Sequence, residues 1–83
     1  MAKIIMGIQL EHREQVVLDV QSLLTKYGCS IKTRLGMHPV SREVCSQNGL
    51  ILIEFMDDAD DEAAKLEEEL SKMSSVVVRK MVF

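Results

Sequence analysis

The stretch that most constrains the fold is residues 31–38, where side chains of two kinds alternate along the chain. One side of an extended chain would carry Ile31, Thr33, Leu35 and Met37, and the other side Lys32, Arg34, Gly36 and His38. A period of two is typical of a half-buried β-strand. We therefore predict a strand over residues 31–37 that turns Lys32, Arg34 and Gly36 outward.

Three further segments have the pattern of strands. Residues 3–10 place Ile4, Met6, Ile8 and Leu10 on one face. Residues 50–56 form a short apolar run of β-forming residues that follows an Asn-Gly turn. The closing run, residues 76–83, is rich in valine and predicts a fourth strand.

Two segments with apolar residues at helical spacing separate these strands. The first runs from about Arg13 to Tyr27, and we expect Gly28 to end it in a left-handed conformation. The second follows Asp57 and Asp58, both suited to an N-cap. Its acidic run, residues 67–69, is predicted to lie on a solvated face.

The order of elements is β-α-β-β-α-β. With right-handed crossovers it predicts an α+β, ferredoxin-like sandwich, in which a four-stranded antiparallel sheet of order 4-1-3-2 carries two helices on one face. The strand over residues 31–37 would then be a sheet edge. Eighty-three residues suit one domain, so we assign residues 1–83 to a single domain.

Composition restricts the classes of function. Ten basic and thirteen acidic residues give a net charge of −3, which argues against direct nucleic-acid binding driven by phosphate neutralisation. No apolar run has the length of a signal peptide or a membrane span, so we expect a cytoplasmic protein without a membrane partner. In that compartment Cys29 and Cys45 are expected to be free thiols.

The sheet face opposite the helices is predicted to be apolar. If Glu54 points outward, so do Leu50, Leu52 and Met56, joined by Ile5 of the first strand. Val77 and Met81 belong to the patch only if Arg79 also points outward, and the sequence leaves this open because Lys80 would then be on the core side. With them, the patch is larger than a monomer usually exposes. We expect a homo-oligomer, a dimer or a tetramer, that buries this face or extends the sheet edge to edge.

Few residues offer site chemistry. His38 and Cys45 share the long segment after the second predicted strand and form a candidate metal site, although an ordinary polar loop is the alternative. Arg34 and Gly36 form a candidate ligand contact, because glycine permits close approach, or else they pack tightly at an interface. His12 has a simpler interpretation as a helix-entry residue. No nucleophile–base pair or glycine-rich nucleotide motif occurs, so we predict no enzymatic activity.

The residues 33–37, Thr-Arg-Leu-Gly-Met, are followed by a polar segment, an aliphatic strand, a helix with Leu66 and Leu70, and Val78-Arg79 near the end. In these features the chain resembles a family of bacterial proteins labelled iron-only hydrogenase system regulators. That family is related in fold to ACT domains and to the C-terminal domain of nickel-responsive regulators.

The resemblance implies an ACT-like, non-catalytic, regulatory or ligand-sensing oligomer with a possible small-molecule effector. In ACT domains effectors bind near the first strand-to-helix loop, which adds Glu11, His12 and Arg13 to the candidate ligand-binding residues Arg34 and Gly36. Two alternatives from other classes of function stay open. One is a metal-binding regulatory domain for nickel, iron or zinc, and the other is a protein-interaction adaptor without a ligand. The sequence does not identify a cofactor.

Overall fold

A computed structural model describes residues 3–10, 14–37 and 49–83. Its elements in chain order are strand β1 (Ile4–Leu10), helix α1 (Glu14–Lys26), a 3-10 helix (Gly28–Ser30), strand β2 (Ile31–Met37), strand β3 (Gly49–Phe55), helix α2 (Asp60–Ser71) and strand β4 (Val76–Val82). All the predicted helices and strands are present, with bounds that differ by a few residues.

The four strands form one sheet in the order β2-β3-β1-β4. Each neighbouring pair is antiparallel. This is the predicted ferredoxin-like order, counted from the opposite edge, and β2 is an edge strand as expected. The central strands β1 and β3 are therefore hydrogen-bonded on both sides.

The core lies between one face of the sheet and the two helices. It is entirely apolar among the described residues and contains one aromatic side chain, Phe55. The buried residues are Ile4, Met6, Ile8, Leu10, Val20, Leu24, Ile51, Ile53, Phe55, Ala59, Ala63, Leu66 and Leu70. Their spacing explains the elements, because every second residue of β1 and β3 and every third or fourth residue of α2 belongs to this set.

The strand pairing confirms the predicted orientation of β1 and β3 and decides that of β4, which the sequence left open. Ile5 lies opposite Glu54 on one side and Met81 on the other, and none of the three is fully buried. Lys80 lies on the helix side, where its Nζ is 2.9 Å from Glu67 Oε1 of α2. Its neighbour in the strand, Arg79, is therefore on the side away from the helices.

The predicted orientation of β2 is wrong beyond its first residue. Ile31 pairs with Phe55, but Thr33, rather than Lys32, pairs with Glu54. This β-bulge at Lys32 inserts one extra residue and exchanges the two sides of the strand. As a result Arg34 and Gly36 lie on the helix side of the sheet, whereas Leu35 lies on the side away from the helices.

The helix ends also differ from prediction. Gly28 does not take a left-handed conformation, since no described glycine has a positive φ; instead it begins the 3-10 helix. The N-cap of α2 is Ala59, without a side-chain cap, rather than Asp57 or Asp58. A turn in which the Ala59 N–H donates to the Met56 carbonyl at 3.1 Å separates β3 from α2. Neither described helix is long and apolar enough to cross a membrane.

Candidate functional site

Four strand ends meet at one end of the sheet. Leu10, the last residue of β1, pairs with Gly49, the first residue of β3, and with Val76, the first residue of β4. Met37, the last residue of β2, pairs with Leu50 of β3. The segments 11–13 and 38–48 are therefore both attached to this end, which we call the loop end of the sheet.

Most of the predicted site residues belong to those two segments. The following lie outside the described residues: Glu11, His12, Arg13, His38 and Cys45. Their roles as ligand-binding residues, or as metal ligands in the case of His38 and Cys45, remain predictions. The fold attaches both segments to the same end of the sheet: residues 11–13 follow β1, and residues 38–48 connect β2 to β3, the strand next to β1.

Arg34 and Gly36 lie on the helix side of β2, opposite Ile53 and Ile51 respectively. The Arg34 guanidinium donates a hydrogen bond from Nη2 to Oε1 of Gln21 on α1. A Cβ added at Gly36 would meet no atom within 4 Å. Among the described residues no packing contact requires a glycine at position 36, which lies on the same side of the sheet as Arg34.

The described residues contain no group of three or more His, Cys, Asp or Glu side chains able to hold a metal ion. Cys29 is an exposed free thiol in the 3-10 helix. His12, His38 and Cys45 lie outside the described residues. The metal site predicted at His38 and Cys45 therefore stays a prediction.

The sheet surface turned away from the helices exposes several apolar side chains, and we call it the open face. It is formed by Ile5, Gly7, Gln9, Thr33, Leu35, Leu50, Leu52, Glu54, Val77, Arg79 and Met81. Large apolar side chains remain accessible on it: Leu35 is 53% exposed and Met81 is 55% exposed. The predicted apolar patch is therefore present, with Leu35 as an addition that results from the bulge.

A polar cluster connects the two helices on the opposite side of the molecule. The Tyr27 hydroxyl donates to Glu69 Oε2 at 2.6 Å, and Lys26 Nζ is 3.2 Å from Glu69 Oε1. The hydrogen bond to Glu69 raises the pKa of Tyr27 above its usual value of 10.0. The same bond, followed by that from Lys26, lowers the pKa of Glu69 below 4.5.

This cluster borders a shallow groove of about 490 Å³ between the helices, with Leu23 and Met73 as its apolar lining. Sequence reasoning missed it, because residues 67–69 were assigned to a solvated face. In the structure Glu69 binds Tyr27 and Glu67 binds Lys80, while Glu68 is paired only with the exposed Lys72. One sequence feature could have indicated this cluster: Tyr27, the single tyrosine of the chain, lies at the end of the first predicted helix and has a hydroxyl group that needs a partner when it is partly buried.

Comparison with known proteins identifies structures with the same fold but does not show a family. No protein-family model matches the chain, and no curated protein matches it. Among solved structures, it is similar to an uncharacterized protein from Thermotoga maritima, with 27% identity and a TM-score of 0.83 over 100% of this chain and 99% of that one.

Two PII-like proteins share the fold at lower identity. CPII, a nitrogen regulatory PII-like protein from Thiomonas intermedia bound to ADP, AMP and bicarbonate, has 13% identity and a TM-score of 0.65 over 100% of this chain and 91% of that one. A PII-like signaling protein from Thermus thermophilus has 11% identity and a TM-score of 0.67 over 100% and 88%. These similarities establish the fold only, and the resemblance to hydrogenase system regulators stays a prediction.

Proposed function

We propose that this chain is a non-catalytic, ligand-sensing regulatory protein of the ACT-like and PII-like kind, which acts as a homo-oligomer in the cytoplasm. Its ligand is a small molecule bound at the loop end of the sheet. The iron-only hydrogenase system, named by the family resemblance, is the regulatory target that we propose for it.

The observation that carries this proposal is the convergence of the segments 11–13 and 38–48 on one end of the sheet. Within ten residues or fewer of Leu10 and Met37, these segments contain two imidazoles, two guanidiniums and a thiol, groups that recognise anionic or metal ligands. The shared fold also supports the proposal of a small-molecule ligand, because CPII is described as bound to ADP, AMP and bicarbonate.

Thermal unfolding in the presence of candidate ligands tests the proposal. The set should include ADP, AMP, bicarbonate, amino acids, Ni²⁺, Zn²⁺ and Fe²⁺. A ligand at about 100 times its Kd adds roughly 2.7 kcal/mol to the free energy of unfolding, which for a domain of this size raises Tm by more than about 10 °C. Arg13→Ala and His12→Ala should remove the shift, whereas Lys65→Ala, an exposed position on α2, should leave it unchanged.

The alternatives give different results. Stoichiometric metal that is lost in the double variant His38→Ala, Cys45→Ala would favour the metal-binding regulator, a reading supported by the attachment of His12 and His38 to the same sheet end. No shift with any compound, together with a protein that co-purifies, would favour the adaptor. A shift that survives all four substitutions would place the ligand elsewhere and contradict the proposed site.

A further inference from the structure

The open face exposes apolar side chains from all four strands. Residues opposite one another on the strands form three cross-strand rows, and the middle row is Leu35, Leu52, Gly7 and Arg79. Antiparallel neighbours on one face have Cβ atoms about 5 Å apart, which brings Leu35 next to Leu52 and Ile5 next to Met81. Glu54, Gln9 and Arg79 interrupt the rows, so the surface is mixed but rich in aliphatic side chains, and large apolar patches of this kind often mark an interaction site.

Among its described residues the open face has two charged side chains, one acidic and one basic. Glu54 accepts a hydrogen bond from Thr33 Oγ1 at 3.4 Å and lies 3.7 Å from Lys3 Nζ. The Arg79 guanidinium donates to the neutral carbonyl of Val78 at 2.8 Å, a contact that leaves its positive charge in place. A second copy of this face offers a carboxylate for Arg79 as well as apolar side chains, whereas a uniformly acidic or basic partner would match only one of the two charges.

Gly7 occupies the centre of the open face, between Leu52 and Arg79. A Cβ at this position would meet Leu52 Cδ2 at 3.6 Å and the Arg79 carbonyl oxygen at 3.9 Å, which are ordinary contact distances. The backbone of Gly7 does not need a positive φ. A glycine inside a strand weakens the strand, and it often marks the close approach of another backbone. Nothing described within this chain makes that approach.

The size of the open face fits a reversible dimer. Four strands about 4.8 Å apart, each about seven residues long at roughly 3.4 Å per residue, have a footprint on the order of 450 Å². Two copies give a footprint on the order of 900 Å², and the projecting side chains raise the accessible area toward the ~1,000 Å² of a specific interface.

We propose that two copies of this chain pack open face against open face around a two-fold axis, with Gly7 at the point of closest approach. This inference deepens the oligomeric part of the proposed function by naming the partner and the surface. The sheets then lie about 10 Å apart, as in a β-sandwich, and each copy covers the exposed Leu35 and Met81 of the other.

Sedimentation velocity from 1 to 100 µM tests the inference with matched variants. Met81→Glu places a charge on the open face, and Val82→Glu places it on the adjacent residue of β4, which faces the helix side and is similarly exposed at 59%. A two-fold interface contains each substitution twice, so Met81→Glu should raise the dimer Kd by about 100-fold or more. Val82→Glu should leave it unchanged.

Leu35→Glu, on the edge strand, repeats the test at a second position of the open face. Because Leu35 is exposed, this substitution should leave the fold of the single chain intact. Leu18→Glu, at a 60% exposed position of α1, is the control on the helix side. A wild-type monomer at 100 µM would overturn the inference, as would a dimer that survives both open-face substitutions. Equal disruption by Val82→Glu and Met81→Glu would also overturn it, because that result indicates pairing of β4 edges.

The two proposals fail separately. A dimer that is broken by Met81→Glu but shifts with none of the screened compounds would support the interface and contradict ligand sensing. A ligand-stabilised protein that stays monomeric with and without its ligand would do the opposite. Gly7→Ala refines the result, since the added methyl fits within one chain and should weaken only the dimer.

Discussion

The two faces of the sheet are built from the same strands, and yet they have opposite surroundings. In β1 the residues Ile4, Met6, Ile8 and Leu10 are at most 6% exposed, because α1 and α2 cover them. Their neighbours Ile5, Gly7 and Gln9 lie on the open face, which no described element covers. The comparison teaches that apolar composition alone does not make a core, since both faces contain aliphatic side chains and only one has a second layer within the chain.

The largest expected loss of stability comes from a deletion that moves part of β1 to the opposite face of the sheet. Deleting Gly7 from the central strand would move two buried side chains of β1 to the wrong side, and each is worth about 1.5–3 kcal/mol. Because a domain of this size is stable by only about 5–15 kcal/mol, we expect loss of cooperative folding.

Deleting Lys32 is the matched control, since Lys32 is the extra residue of the bulge and its removal leaves Ile31 and Thr33 on their present sides. We expect it to cost about 1 kcal/mol. Urea denaturation followed by circular dichroism measures both variants. Similar losses for the two deletions would contradict the assignment of the bulge.

A smaller loss of stability is expected when a single side chain is truncated, and its size should differ between the two faces of the sheet. Phe55 is 0% exposed in the core, so Phe55→Ala should lower the free energy of unfolding by about 3–5 kcal/mol. Leu52 is on the open face and only partly buried, so Leu52→Ala should cost less than about 1.5 kcal/mol.

Both substitutions should be measured by urea denaturation in a Met81→Glu background, which removes any contribution from dimerisation. If Leu52→Ala costs as much as Phe55→Ala in that monomer, the open face is packed within the chain, and the distinction between the two faces is wrong.

The smallest effect concerns the polar contact on the helix side. Hydrogen bonding to Glu69 raises the pKa of Tyr27, so this contact stabilises the fold below the usual tyrosine pKa of 10.0 and is lost as pH rises through the higher folded pKa. The lowered pKa of Glu69 has the opposite sign: its contribution is present above 4.5 and disappears as pH falls through the folded value.

Tyr27→Phe should therefore lower stability at pH 7 and converge on the wild type at high pH. Urea midpoints between pH 3 and pH 11 measure this, with Asp58→Asn as the control, because Asp58 is exposed in the turn before α2 and is not among the charges that raise the Tyr27 pKa. A constant difference between Tyr27→Phe and the wild type up to pH 11 would contradict the hydrogen bond as the cause.

The sequence predicted part of the candidate site. The sequence identified the residues that offer imidazole, guanidinium and thiol groups, since these are properties of single residues. The predicted antiparallel order 4-1-3-2 already implies that residues 11–13 and 38–48 start from the same end of the sheet, since the first two strands both run antiparallel to the third. The assignment of Arg34 and Gly36 to the open face failed at the bulge.

The sequence by itself determined the type and order of the elements and the two sides of β1 and β3. These follow from the spacing of apolar residues within one segment, and hydrophobic burial acts on that spacing directly. Only the tertiary structure decided the orientation of β2 and the partner of Glu69. Residues 31–37 alternate without interruption, so their bulge arises from pairing with β3, about twenty residues away. Glu69 meets Tyr27 across 42 residues, and no local pattern contains a contact of that range.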